Sequence, residues 1–474
     1  MNFVYRSAAS VLVFLDSSTE STDLVIDNIN NFDSHTPTEE VLADASGVAG
    51  LMDIWLRPWF ERVWVLQELT MGRKHAVTFA CGFKRLSWER LYEAMLIFIP
   101  WFKDEIVNRT VSAQREVGLL SQYLKQTGKS LRSVSKQIRR ARDTLHLRHT
   151  YLENKPDISL SFLLTSYLEG MKCSDERDRI YALAGISDDI DLLGPSSDYY
   201  NRCWHDLYAD ITRSLIKRGF VDLLGLCRNQ DTRLPSWVPD WGQRNSSWVP
   251  DFRRMNSQTE RLFRASHNTS VVLRDDLLFY SRILAIEGFE VDKLLRVGTR
   301  WAGVRDGFDL AAVRSRFEET ELFLSHSMKY TSQERNEASW RIPIGDLEWV
   351  DFNRETIRAT NCSFEAYSDI KTYLAQSINP VKMDKKYLLY ILHMTGVPNT
   401  KPFLSIEGYV GLCPSEAQPD DIIFIPLGAQ MPYVVRKLPG GNYQLIGEAY
   451  VHGIMDGALI AQNPKLAINV FCLE

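Results

Sequence analysis

The chain has 474 residues, of which 45% are hydrophobic and 24% charged, with a formal net charge of -5 at pH 7. That length exceeds one ordinary core and predicts two or three domains; the weakly acidic balance gives no reason to expect a nucleic-acid or membrane partner. Twelve tryptophans favour large buried cores over disorder, and seven cysteines, never in a C-x-x-C pair, argue against a disulfide scaffold or zinc site.

The opening "MNFVYRSAASVLVFLDSS" ends its apolar run on Asp16 with no small-residue cleavage site, so it reads as the end of a helix and a buried strand over 10–16, not a signal peptide. A helix near 39–54 follows. "RPWFERVWVLQELTMG" (57–72) reads as one short helix, with Pro58 at its first position and Gly72 at its stop, and "HAVTFACG" (75–82) as a strand. On a continuous helix Phe60, Trp64 and Glu68 share one stripe, which sets a carboxylate along an aromatic face and predicts a fully buried Trp64. Strands separated by helices predict an α/β layer with parallel strands over 1–90.

Residues 91–250 read as helical, with a strongly basic insertion over 115–150 expected to be solvated. "CSDERDRIYALAGI" (173–186) predicts a helix capped by Ser174, with Asp175, Glu176 and Asp178 in its first turn. A second helix over 200–219 places Trp204, Leu207, Tyr208, Ile211 and Leu215 on one face. "LPSWVPDWGQRNSSWVPDF" (234–252) repeats S-W-V-P-D, with Trp237 and Trp248 as packing anchors in extended or turn segments. Residues 251–400 form a mixed α/β region with no functional signal. The last stretch, 401–474, is β-rich: short alternating strands predict a small barrel or sandwich, with a hairpin turn at "LPGGNY" (438–443). His452 stands there with no nearby Ser or Cys in a nucleophile context, and a satisfied strand residue is the expected role.

There is no Walker phosphate loop, dinucleotide fingerprint, H-E-x-x-H or G-x-S-x-G. What remains is a set of blocks in a definite order. "RPWFERVWVLQEL" with "VTFACG" resembles the signature of the fungal heterokaryon-incompatibility (HET) domain, and "RDRIYALAGI", "LPSWVPDW" and "GEAYVHGIMDG" resemble blocks that accompany it. The matching positions are Arg57, Trp59, Phe60, Trp64, Gln67, Gly82, Asp178, Arg179, Tyr181, Trp237, Asp240, Trp241, Gly447, Tyr450, Gly453 and Gly457, for which packing roles are expected. The resemblance implies fungal non-self recognition leading to programmed cell death, a cytoplasmic protein, and a protein partner or self-association through the HET domain. It also implies that the HET domain here lacks its first strands, since the family's earlier Tyr-Trp-Gly block has no counterpart.

HET domains are in turn remotely similar to TIR domains, some of which cleave NAD with a glutamate on a helix between two strands. "SVLVFLD", "VWVLQELT" and "AVTFACG" repeat that order, so the resemblance implies a partial, TIR-like parallel sheet layer with Glu68 in the place of the acid. A carboxylate there would stabilise the positive charge that develops as the nicotinamide–ribose bond breaks. NAD would then be a substrate; no metal or resident cofactor is expected. The alternatives are that Glu68 pairs with Arg57 or Arg62 and anchors the helix, or that the chain is an inactive relic.

Overall fold

The computed structural model describes residues 2–31, 45–111, 118–153, 158–193, 200–227, 233–242, 261–274, 282–301, 310–349, 356–376, 385–397 and 399–474. The chain forms two units, one of Met1–Asn201 with Trp241–Arg244, the other of Arg202–Asp240 with Asn245–Glu474. Trp248 and Pro250 of the second S-W-V-P-D copy lie outside the described residues.

In the first unit, helix α1 (Asn2–Ser7) leads into strand β1 (Val11–Phe14), followed by α2 (Glu20–Asn30) and α3 (Ala45–Trp55). A capping box starts α2: Thr22 N–H donates to the Thr19 hydroxyl at 3.2 Å, and Thr19 N–H donates back to the Thr22 hydroxyl at 2.7 Å. Residues 57–72 are not the single helix expected. Pro58–Glu61 is one 3-10 turn, Arg62 is extended (ψ 132°), and helix α4 spans only Val65–Met71. The break has a tertiary cause. Val63 N–H donates to the Lys172 carbonyl at 2.9 Å, while Lys172 N–H donates to the Glu61 carbonyl at 2.5 Å. A bridge from over 100 residues away thus replaces helical hydrogen bonds that the local pattern would support.

Phe60 is therefore off the stripe of α4. It is buried, edge-on to Trp59 at 5.0 Å and stacked with Phe79 at 6.4 Å between ring centroids, whereas Trp64 is half-buried and caps α4. Full burial belongs to Phe60, not Trp64.

Strand β2 (Val77–Cys81) pairs parallel with β1, Val11 opposite Val77 through Phe14 opposite Ala80. Strand β3 (Lys84–Ser87) turns back antiparallel on β2, giving the sheet order β1-β2-β3. Helices α5 (Trp88–Val111), α6 (Leu119–Thr127), α7 (Leu131–Glu153), α8 (Leu160–Tyr167) and α9 (Asp178–Ala184) complete the unit. Ser174 does not cap α9: Arg177 occupies that position, held by the Asp175 carboxylate, which accepts its N–H at 3.0 Å.

Helix α7 carries most of the basic run, and it is not a solvated insertion. Val134, Ile138, Ala141, Leu145 and Arg148 form a buried stripe at helical spacing. Arg148 is 0% exposed. Its guanidinium donates to the carbonyls of Leu69 (2.6 Å), Gly72 (2.8 Å) and Arg73 (2.9 Å), closing the C-terminal end of α4, and it lies 5.0 Å over the Trp88 ring. Burial pulls the guanidinium down to about 10, with the Glu89 charge acting the other way, so it remains cationic at neutral pH.

The second unit begins with α10 (Trp204–Lys217), which buries Leu207, Tyr208, Ile211 and Leu215 and leaves Trp204 half-buried. Next come β4 (Leu284–Val297), α11 (Leu310–His326), α12 (Ser332–Arg341), β5 (Leu347–Trp349), β6 (Thr356–Arg358), α13 (Asn361–Gln376) and α14 (Lys385–Gly396). The strands β7 (Thr400–Ser405), β8 (Val410–Pro414), β9 (Ile422–Pro426), β10 (Tyr433–Lys437), β11 (Tyr443–Glu448) and β12 (Tyr450–Val451) follow, then helix α15 (Ala458–Gln462) and strand β13 (Ile468–Leu473).

The sheet order is β12-β8-β7-β4-β13-β11-β10-β9, and β4 also pairs with β9. The ring β4-β13-β11-β10-β9 therefore closes into a small barrel, while the far end of β4 carries β7, β8 and β12. The expected hairpin at 438–443 is present, with Gly441 at φ 90°.

Two substitutions test this packing by chemical denaturation. Phe60→Ala is expected to lower stability by about 3–5 kcal/mol, and Trp64→Ala by clearly less. Arg148→Met, which leaves three carbonyls of the α4 end without their donor, is expected to lower it by about 3 kcal/mol or more. Unchanged midpoints for Phe60→Ala and Arg148→Met would contradict the packing described.

Candidate functional site

The aromatic motif carries two carboxylates, Glu61 and Glu68. Glu68 sits in the first turn of α4, where the positive end of the helix favours a carboxylate. Arg62 Nη2 lies 3.8 Å from its Oε1, with Arg62 58% exposed and Glu68 18%. Tyr5 of α1 hydrogen-bonds Glu68; burial, then the Glu68 charge, then that bond raise the phenol above its ordinary range. The carboxylate is thus held between a cation and a phenol. Arg57 turns elsewhere, pairing with Asp53 at 2.7 Å. Next to Glu68, Gln67 is 1% exposed and its Oε1 has no hydrogen-bond partner among the described residues.

A second carboxylate of the same block, which sequence reasoning missed, is more heavily engaged. Glu61 accepts from Arg140 at 2.8 Å and from Gln137 at 3.1 Å, both on α7, and its other oxygen pairs with Lys172. Desolvation works to raise its pKa, but the hydrogen bonds from Lys172 and Gln137 and the charges of Lys172 and Arg140 prevail and hold it below the ordinary value. Glu61 therefore ties the 3-10 turn to α7 and to the segment before α9. Its i, i+3 and i+4 surroundings gave no sign of this, because every partner lies at least 76 residues away.

The "CSDERDRIYALAGI" block packs in the same unit. Arg179 donates to Glu176 at 2.7 Å and to the Met171 carbonyl at 2.7 Å, and Asp178 accepts from the Tyr200 hydroxyl at 2.6 Å. Tyr181 is buried, with its ring edge-on to Tyr200 at 5.3 Å. Trp241 also belongs to this unit and is buried.

Trp237, Asp240 and the C-terminal motif residues belong to the second unit. Trp237 is fully buried, donates to the Arg282 carbonyl at 2.9 Å and lies under the Arg213 guanidinium at 4.9 Å; Asp240 is buried. Tyr450 is buried on β12 with its hydroxyl 3.1 Å from His452 Nδ1. Burial pushes His452 down to about 4, so its imidazole is neutral at physiological pH, a satisfied residue beside the barrel. The motif glycines take positive φ at special backbone positions: Gly82 (55°) and Gly453 (90°) in turns, Gly447 (144°) at the irregularity in the β10–β11 ladder, and Gly457 (80°) at the start of α15.

Among the described residues no group of three or more His, Cys, Asp or Glu side chains is arranged to hold a metal ion, and no helix is long and apolar enough to cross a membrane. All seven cysteines are free, but only Cys81, Cys227 and Cys413 are buried; Cys203 and Cys362 are exposed.

Residues 371–467 match the Het-6 beta-barrel domain, which covers α14 and most of the barrel strands. Over 469 aligned positions the chain is 27% identical to heterokaryon incompatibility protein 6, OR allele, of Neurospora crassa, a match that takes in 85% of this chain and 65% of that protein. The chain is thus similar to a heterokaryon-incompatibility protein along most of its length and carries a match to the Het-6 beta-barrel domain near its C-terminus. It spans less than two thirds of the length of this relative, and no solved structure matches it. The match takes in β9, β10 and β11 of the barrel, whereas its longest strand, β4, lies well before the matched residues and β13 just after them.

Glu61 and Glu68 differ in how firmly they are held, and pH separates them. Because the Glu61 pKa is lowered on folding, its contribution is present above the ordinary value of 4.5 and is lost as pH falls through the depressed folded value. The stability gap between the wild type and Glu61→Gln should therefore narrow on acidification below that point. Glu68→Gln, which removes one long and partly exposed ion pair, is expected to change stability by less than about 1 kcal/mol. A pH-independent gap for Glu61→Gln would contradict the assigned ionic hub.

Proposed function

We propose that this chain acts in fungal non-self recognition, bringing about heterokaryon incompatibility and programmed cell death through a protein partner or a second copy of itself. Similarity along 85% of the chain to an incompatibility protein carries this reading. Its HET-type α/β portion serves as a recognition scaffold: the motif side chains Phe60 and Glu61 are spent on packing and internal ion pairs, as are Arg179 and Trp237 in the blocks that follow. Seven free thiols fit a protein of the reducing cytoplasm.

The competing reading is NAD cleavage in a TIR-like layer with Glu68 as the acid. The parallel pairing of β1 with β2 on either side of α4 is the feature in its favour. Arg62 and Tyr5 beside the carboxylate favour the anchoring role instead.

Expressing the chain and its Glu68→Ala variant in a fungal strain of opposing type, with growth arrest and cellular NAD both scored, distinguishes the two. Recognition without catalysis predicts that both proteins trigger incompatibility and that NAD falls no faster than cell death. Loss of both killing and NAD depletion in a folded Glu68→Ala variant would overturn the scaffold reading in favour of the enzyme. Gln67→Leu provides a second probe. Replacing a buried amide whose oxygen has no partner among the described residues by an apolar side chain should leave stability unchanged or raise it by about 1 kcal/mol, and loss of incompatibility in that stable variant would show that the motif is used for contact.

A further inference from the structure

Helix α7 presents its unburied basic side chains to a concavity in the first unit. A cavity of about 230 Å³ lies between α7 and the end of α8, lined among others by Lys136, Arg139, Arg140, Ser166, Glu169 and Gly170. The three cations fall at i, i+3 and i+4, so they share one face of the helix.

Their charges are unequally committed. Arg140 is fixed by Glu61 at 2.8 Å, and Glu61 also holds Lys172, so that this group of three keeps a net positive charge. Arg139 has only a long contact with Glu169, 3.4 Å, between two side chains that are each about one third exposed. Lys136 has no ion pair among the described residues, and the Ser166 hydroxyl has no hydrogen-bond partner among them. Asp143, the other acid at the wall, is engaged by Arg142 at 2.6 and 2.9 Å. The cavity is therefore electropositive and holds uncommitted donors.

Its shape is also built. Gly170 has φ 71°, and a Cβ there would stand 2.8 Å from Arg140 Nε and Nη2. Only a glycine lets the backbone after α8 close against the guanidinium that Glu61 has placed.

We propose that this cavity binds a small phosphate monoester, with Lys136 and Arg139 as its principal ligands, Ser166 as a further donor and Arg140 as a fixed cation in the wall. A doubly charged phosphate offers several acceptor oxygens and displaces Glu169 from Arg139 more readily than a carboxylate would, because planar guanidinium donors match it in charge and geometry. The size favours a small polyol or sugar phosphate: a cavity of about 150 Å³ holds a benzene-sized molecule, and this one is only moderately larger. The inference is independent of the incompatibility reading, since it rests on the geometry of the first unit alone.

Isothermal titration of the full chain with glycerol phosphate tests it, with inorganic phosphate and acetate as comparison ligands. Saturable binding of glycerol phosphate and of inorganic phosphate is expected, weakened by added salt, with acetate failing to bind. Lys136→Ala and Arg139→Ala should each weaken it by about tenfold or more, while Lys129→Ala, an exposed lysine beyond the cavity, should leave it unchanged. Thermal midpoints of the variants establish that they fold. Absence of saturation at millimolar ligand, equal binding by acetate, or equal affinity for folded Lys136→Ala and wild type would each overturn the proposal.

Discussion

The first unit depends on one buried cation. Arg148 reaches from the C-terminal third of the most basic helix into the C-terminal end of α4, where three carbonyls and the face of Trp88 surround it. A helix end left buried would strand these carbonyls without donors, and a guanidinium left buried would lack counter-charge. Each removes the other's penalty, and the partial negative charge of the helix end takes the place of a carboxylate. The short helix that carries the family motif is thereby pinned from its far end. Glu61 pins the motif from the other side, through Arg140 on the same basic helix. Two arginines two turns apart on α7 thus set where α4 begins and ends.

That arrangement changes how the motif is understood. A run of tryptophan, phenylalanine and glutamate invites the picture of a pocket with an acid on its wall. The fold divides the run instead. Phe60 and Trp59 join the rings of Trp55 and Phe79 in the core, Glu61 becomes an ionic hub, and Glu68 rests between Arg62 and Tyr5. In the second unit β4 plays the organising part: its 14 residues pair with β13, β9 and β7 in turn and so close the barrel while extending the sheet beyond it.

The sequence made local order legible where local forces decide it. Strands β1 and β2, helix α10, the 438–443 turn and the β-rich end all follow from apolar periodicity and turn residues. The likeness to heterokaryon-incompatibility proteins was legible in the order of the blocks. The split of residues 57–72 was not, because the bridge from Lys172 to Val63 and Glu61 is a long-range contact that overrides a good helical pattern. Nor was the burial of α7 evident. Lysines and arginines on three of its sides masked an apolar stripe, and one buried arginine among many in a basic run carries no local mark. The full length of strand β4 was obscured for a related reason: its outer half, VDKLLRV, lacks a two-residue alternation, and its ladder partners lie more than 100 residues downstream.

The central claim is that the HET-type motif is a packed scaffold whose integrity depends on α7. Native-state hydrogen exchange of the amides in Val65–Met71, compared between the wild type and a folded Arg148→Met variant, tests it most directly. If the claim holds, protection in α4 and in the buried turns of α7 falls together, because the two helices open as one unit. If α4 keeps its protection while only residues near position 148 lose theirs, the motif helix stands without the clamp and the claim is wrong.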